Sequence, residues 1–451
     1  MKKKLVKLML VTSLIGASLF TGCRLNDAEN LMEPPRLSIS QEEVKTLVKD
    51  VLDSNAKLVS PRKGENNSAI QFVDLDNDKK DEAIVLYMLK NDKYPLRGLI
   101  LKQQGDKWKI DEGIKGIGYN FDNILFKDIT GDGKLEIVVS WNIGEEGINK
   151  GLSVYKYEDG KSVELFNDSY EAFAVDDLDN DKKSEIFLVK LNKDEIKAKG
   201  ELYKYVDKEI KLVDKVKMDG AIGSHYSTKV GMASKDKKGI FLEATLGAHS
   251  SITELIVMEN GKLKNVFYNE DIEGVDKTFR SYGAISEDID NDGIIEIPLL
   301  RAPITYEDAS MAEIPWITSW YKWDGKDGLE FSGEGYFDIL GGYYFKFPEK
   351  WNERITLDHK YPDENNGRDE LIFSYVDNKN KKHRLFTIAV FDKKDWEKSS
   401  QKDGYVKFFE DTNKVYTVSI ENNLTDAHAK EMSLSLEQIK DNFRIYKFNF
   451  Q

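Results

Sequence analysis

Five carboxylates crowd into the nine positions of "DLDNDKKDE": Asp74, Asp76, Asp78, Asp81 and Glu82. In an extended turn alternate side chains point to one side. Asp74, Asp76 and Asp78 can therefore converge on one point, while Glu82 closes from the start of the strand that follows. The main-chain carbonyl of Lys80 is placed to add a neutral oxygen. An all-oxygen nest of this charge suits Ca²⁺, which takes six to eight such ligands. Zn²⁺ would require His or Cys, and neither stands near; Mg²⁺ prefers fewer protein ligands and more water.

The stretch "VDLDNDKKDEAIVLY" (73–87) recurs as "KDITGDGKLEIVVSW" (127–141), "DDLDNDKKSEIFLVK" (176–190) and "EDIDNDGIIEIPLLR" (287–301). The first aspartates are Asp74, Asp128, Asp177 and Asp288, at intervals of 54, 49 and 111 residues. The last interval is close to two periods and predicts a further copy near residue 232. "GMASKDKKGIFLEAT" (231–245) is that copy in worn form, with the "DKK" and the apolar run but without the acids. An EF-hand opens with the same residues, yet it needs a glutamate at position 12 and an exiting helix. Position 12 here is Val85, Val139, Leu188 or Leu299, and the closing acid sits at position 9 before a strand. A single acidic Asp/Asn turn is a common solvated feature; four periodic copies sharing one closing glutamate are not explained that way.

Five units of about 50 residues each leave room for four strands, and a four-stranded unit repeated at this length describes a propeller blade. Strands of the first unit are expected near 69–73, 83–89, 97–103 and 107–112. The fold class that follows is mainly β: a β-propeller-like array of about five four-stranded blades with calcium loops over 68–340, then a small α+β domain over 341–451. In that second domain strands are expected at 370–376, 385–391 and 415–420. A helix is expected at 435–443, opened by a Ser435/Gln438 capping box. Residues 40–67 read as a helix and a lead-in strand, with Ser40 and Glu43 as a capping box and Val44, Leu47, Val48, Val51 and Leu52 on one face.

The loops resemble those of FG-GAP repeats, the blades of integrin-α-like β-propellers. The fifth unit, "YGAISEDIDNDGIIEIPLLRAP" (282–303), carries Tyr282-Gly283 in place of Phe-Gly, the acidic loop, and Ala302-Pro303 at its far end. The resemblance implies up to four Ca²⁺ ions. The ligands it implies are Asp74, Asp76, Asp78 and Glu82; Asp128, Thr130, Asp132 and Glu136; Asp177, Asp179, Asp181 and Glu185; and Asp288, Asp290, Asp292 and Glu296. Carbonyls at Lys80, Lys134, Lys183 and Ile294 complete the sets. Thr130 stands where an acid belongs, which makes the second site the weakest.

The first 22 residues read as a signal peptide: Lys2, Lys3, Lys4 and Lys7 precede an apolar stretch from Leu8 to Phe20 that is short for a membrane span. "LFTGC" resembles a bacterial lipobox, which makes Cys23, the only cysteine, the expected lipid-bearing residue. Residues 23–39 would be a tether, and the protein would sit lipid-anchored on the outer face of a cell membrane. With that cysteine carrying lipid, no disulfide is available to staple the loops. The formal charge of −14 excludes nucleic acid as a natural partner.

Catalytic signatures are sparse. No G-x-S-x-G elbow, P-loop or HExxH occurs. Of the five histidines, His225 ("GSHYS") and His249 ("GAHSS") lie in the worn unit and could contact a polar ligand or act as a base; the plainer reading is two loop histidines. His359, His383 and His428 are expected at the surface. Trp316, Trp320 and Trp323 could stack on sugar or pack between blades. The resulting expectation is a lipoprotein whose calcium-stabilised propeller binds an extracellular protein or glycan. The alternatives are an enzyme acting on extracellular polysaccharide through the fourth-unit histidines, or a structural component of the envelope.

Overall fold

The computed structural model describes residues 39–64, 66–105, 107–143, 150–351, 353–362, 368–398 and 404–446. The expected signal peptide, Cys23 and the tether up to residue 38 lie outside these. The chain divides into Met1–Ala56 and Lys57–Gln451. In the first unit a helix spans Ile39–Val51. Ser40 is therefore already helical rather than the residue that caps it. Val44 and Val48, one turn apart on the expected apolar face, are buried.

The second unit is built from antiparallel meanders at the expected period. The first sheet comprises Ile70–Val73, Glu82–Leu89, Leu96–Gln104 and Lys107–Gly116, with the short expected lead-in strand Ala56–Leu58 as a fifth member. The second comprises Asn120–Lys127, Glu136–Asn142, Lys150–Glu158 and Lys161–Tyr170. Phe173–Asp176, Glu185–Asn192, Lys197–Val206 and Glu209–Met218 form the third. The worn unit still makes a complete fourth, from His225–Met232, Lys238–Leu246, Ser250–Glu259 and Lys262–Asn265.

In the fifth sheet the opening strand shrinks to a single bridge between Glu287 and Glu296. Ile297–Arg301, Ile317–Trp323 and Leu329–Asp338 follow in order. Two strands from beyond the expected boundary at 340, Tyr343–Lys346 and Phe443–Ile445, then extend its edge. The C-terminal domain is thus grafted onto the last blade. The alternation in "YYFKF" permits this: Tyr344 packs with Trp320 on one face, while Tyr343, Phe345 and Phe347 enter the C-terminal core.

The apolar run after each acidic loop is continuous because its strand is covered on both faces. In the second sheet Ile137, Val139 and Trp141 pack with Ile84 and Leu86 of the first, while Val138 packs with Ile186 and Leu188 of the third. The same division recurs along the series. Phe187 and Val189 meet Ile240 and Leu242, and Phe241, Leu255 and Val257 meet Ile295, Ile297 and Trp323. Among the described residues these apolar clusters join each sheet to the next and the fifth to the C-terminal sheet; none joins the fifth to the first. The C-terminal sheet runs Ile355–Lys360, Asp369–Val376, Lys382–Asp392, Lys414–Ile420, Val406–Glu410. Against it lies the helix Leu436–Asp441, opened by the expected Ser435/Gln438 capping box.

Candidate functional site: four acidic loops, each with a lysine

Each acidic loop joins the first and second strands of its sheet, or the bridge that replaces the first strand in the fifth. The loops are not extended turns. Positions 4 and 6 adopt left-handed backbone in every copy: Asn77 and Lys79, Gly131 and Gly133, Asn180 and Lys182, Asn291 and Gly293. Asn and Gly tolerate this conformation best, which accounts for their recurrence at position 4. The coiled backbone turns its amides onto the first aspartate. Asp74 accepts from the amides of Asp78 and Lys79, Asp177 from Asp181 and Lys182, and Asp288 from Asp292 and Gly293. The fifth position caps the loop end: Asp78, Asp132, Asp181 and Asp292 accept from the amides of Lys80, Lys134, Lys183 and Ile294.

The closing glutamates are buried. One oxygen of each accepts from the amide following the first aspartate, Leu75, Ile129, Leu178 or Ile289, at 2.8–2.9 Å. Burial pushes the carboxyl groups of Glu82, Glu136, Glu185 and Glu296 above their ordinary range.

A lysine from the third strand reaches every one of these nests. Lys102 contacts Asp76 and lies 3.1 Å from Asp78 and 3.3 Å from Glu82. Lys156 is 2.8 Å from Asp132. Lys204 is 2.5 Å from Asp179 and 3.1 Å from Glu185. Lys322 is 2.9 Å from Asp290, 2.6 Å from Asp292 and 3.1 Å from Glu296. Burial disfavours the charge on Lys102 and Lys322, but their carboxylate hydrogen bonds outweigh it and raise both ammonium groups above their ordinary range.

Strand register makes the match systematic. Each lysine follows the residue paired with the one after the closing glutamate: Ala83 with Leu101, Ile137 with Tyr155, Ile186 with Tyr203, Ile297 with Tyr321. In the fourth sheet Gly239 pairs with Val257, so Lys238 and Met258 occupy the glutamate and lysine positions. Acid and lysine are lost together there. Lys238 turns instead to Asp176 of the third sheet at 2.6 Å. A sequence signal for these lysines existed in "YKYED", "YKYVD" and "YKWDG" (155–159, 203–207, 321–325), but it lies a hairpin away from the acids it serves.

The donor sets differ in how well they fit a divalent ion. Three ligand oxygens lie within 4.8 Å of one another among Asp74, Asp76 and Asp78, among Asp177, Asp179 and Glu185, and among Asp288, Asp290 and Glu296. Asp76 Oδ1 is also buried without a hydrogen-bond partner, and Glu82 Oε1 is met by Lys102 alone. These three loops fit Ca²⁺ once the lysine withdraws. The second brings no such group of three together among the described residues, and its Glu136 accepts from the Thr130 amide and hydroxyl as well as from Ile129.

The other candidate residues separate. His225 has a buried side chain 3.5 Å from the equally buried Glu254, and both its ring nitrogens lack hydrogen bonds. His249 is exposed and lies 6.4 Å, ring to ring, from Tyr282. Tyr282 in turn meets the half-buried Trp316 edge-on at 6.0 Å. Trp320 and Trp323 are buried and pack in the cores. His428 is exposed and His383 half-buried, but His359, expected at the surface, is enclosed between Asp338 and Asp369. Sequence reasoning also missed Arg280. Fully buried, it pairs with Glu243 and donates to Thr253 and the Ala284 carbonyl.

No family model matches the chain, and no curated protein matches it. Among solved structures, the rhamnogalacturonan lyase YesW is 11% identical over 80% of this chain and 74% of its own, with a TM-score of 0.33. The exotype rhamnogalacturonan lyase YesX is 15% identical over 74% and 69%, with a TM-score of 0.32. The β-propeller domain of the Trilobed protease from Pyrococcus furiosus is 10% identical over 75% and 90%, with a TM-score of 0.26. Likenesses this loose carry no site or activity to this chain, whose propeller-like architecture stands on its own sheets and their register.

Proposed function

We propose that the five-sheet array is a calcium-stabilised binding module, related to FG-GAP propellers and held on the outer face of a membrane by a lipid on Cys23. Ca²⁺ is assigned to the first, third and fifth sheets, on Asp74, Asp76, Asp78 and Glu82; Asp177, Asp179, Asp181 and Glu185; and Asp288, Asp290, Asp292 and Glu296. When bound, the ion supplies the positive charge that lets four carboxylates share one loop. The protein's own residues hold the loop in shape, through the first aspartate's amide bonds and the buried glutamate. Extracellular calcium modules bind at about 10⁻⁴–10⁻³ M, so such sites are filled outside a cell.

The observation that carries the binding role is the aromatic group His249–Tyr282–Trp316. His249 lies at the turn between the second and third strands of the fourth sheet, Tyr282 on the segment leading into the fifth, and Trp316 just before that sheet's strand Ile317–Trp323. Half-exposed aromatic faces that leave the core to Trp320 and Trp323 suit a sugar ring or an apolar peptide side chain. The enzyme alternative needs His225 and His249 to share a ligand. The buried His225–Glu254 pair and the exposed His249 give it no support. The test is a glycan and cell-wall binding screen with Tyr282→Ala and Trp316→Ala. Loss of a captured ligand with unchanged melting supports the reading. Capture that survives both substitutions refutes it.

A further inference from the structure

Where the fifth sheet meets the C-terminal domain, three buried side chains face one another. Asp338 ends the strand Leu329–Asp338, while His359 and Asp369 stand on adjacent strands of the C-terminal sheet. Their side chains are 1%, 8% and 7% exposed. His359 Nε2 bonds Asp369 Oδ1 at 2.6 Å and lies 3.8 Å from Asp338 Oδ2, beyond hydrogen-bond reach. Asp338 Oδ1 accepts from the Gly341 amide at 2.7 Å. That leaves Asp369 Oδ2 buried with no partner, and Asp338 Oδ2 facing only the buried Tyr343 hydroxyl in a contact short of good hydrogen-bond geometry.

Orphaned buried carboxylate oxygens are costly, and this fold can satisfy a buried carboxylate fully. Glu243, equally enclosed, accepts from Ser286, Thr253 and Arg280. At the Asp338 cluster two carboxylates share one imidazole, and the unfilled acceptors point to a cation. One ligand atom from each residue lies within 4.8 Å of the others. The other ring nitrogen, Nδ1, is 3.2 Å from the Tyr336 hydroxyl. An imidazole held from behind in this way is the usual arrangement of a metal-bound histidine.

We propose that Asp338, His359 and Asp369 hold one divalent transition-metal ion of the Zn²⁺ class, clasping the C-terminal domain to the fifth sheet. Imidazole with two carboxylates suits Zn²⁺ or its neighbours in the first row, whereas Ca²⁺ takes oxygen ligands throughout. Binding releases to solvent the proton that Nε2 shares with Asp369. Nδ1 keeps its own proton, donated to Tyr336. The site is separate in chemistry and place from the acidic loops.

The experiment uses the full chain, stripped with EDTA and returned to about 1 mM Ca²⁺ so that any calcium sites are filled. Zn²⁺ is then titrated by calorimetry, and Co²⁺ by its visible absorption. The expected result is one tight equivalent with proton release, Co²⁺ bands that report nitrogen ligation, and a higher melting temperature. His359→Gln should weaken binding at least tenfold, while His383→Gln, at the Asp377–His383–Asp426 group, should leave it unchanged. If His359→Gln does not fold, Asp369→Asn and the wild-type melting shift serve in its place. Absence of binding by the wild type, or equal affinity in the His359 and Asp369 variants, overturns the proposal. So does loss of binding in His383→Gln.

Discussion

Replacing Lys322 by methionine tests whether lysine and calcium compete for one position. Methionine is the natural choice because Met258 fills that position in the fourth sheet, the repeat whose loop has lost its acids. Lys322 Nζ lies 2.6–3.1 Å from Asp290, Asp292 and Glu296, and its side chain is 22% exposed. A partly exposed ion pair is worth up to about 1 kcal/mol, so three contacts on one ammonium contribute about 2 kcal/mol after desolvation. In EDTA the Lys322→Met protein should therefore melt several degrees lower, its carboxylates left to repel one another. In Ca²⁺ the sign reverses. The ion no longer has to displace the ammonium, and about 2 kcal/mol corresponds to roughly 30-fold tighter binding. Melting should return to or exceed the wild-type value at millimolar calcium. The assay is calcium calorimetry paired with melting scans in EDTA and in Ca²⁺. Lys102→Met should behave alike, and the two effects should add because the loops sit in different sheets. Equal calcium affinity in variant and wild type would refute the competition. Unchanged melting in EDTA would show that the lysine does not hold the loop.

Two further substitutions test the framework. Glu201 is nearly buried, and burial opposes its charge, but Lys199 at 2.9 Å, Lys215 at 3.1 Å and the Tyr203 hydroxyl prevail and hold its carboxyl down to about 2. A depressed carboxyl stabilises the fold above its unfolded value near 4.5 and loses that contribution as pH falls towards 2. Glu201→Gln should thus cost about 2–3 kcal/mol at pH 7, and urea melts should show the difference shrinking between pH 4.5 and 2. Arg280→Ala leaves Glu243 buried and unpaired, a loss of about 3–5 kcal/mol; a melting temperature within one degree of wild type would contradict the role given to this pair.

Some of this could be read from the sequence because it is local. The period of the acidic loops set the number of repeated sheets, and the apolar runs after them marked the strands that follow. The Ser435/Gln438 cap was legible because a capping box spans four residues. The expected alternation of Asp74, Asp76 and Asp78 in an extended turn was misleading. Left-handed residues at positions 4 and 6 coil the loop, and the first aspartate spends its oxygens on amides. The helix Ile39–Val51 already includes Ser40, a displacement within the one or two residues by which helix ends vary.

What composition and spacing determined by themselves was a repeated β unit, an acidic loop at one place in each unit, and one worn copy. Those are properties of neighbouring residues. Only the tertiary structure decided which charges meet. Lys102, Lys156, Lys204 and Lys322 are four among 66 basic residues until strand pairing sets each across from its glutamate. The edge strands that graft the C-terminal domain onto the last sheet, and the enclosure of His359 between Asp338 and Asp369, arise in the same way. Each joins residues separated by many turns of chain, and the energy that joins them comes from burial, which no short stretch of sequence contains.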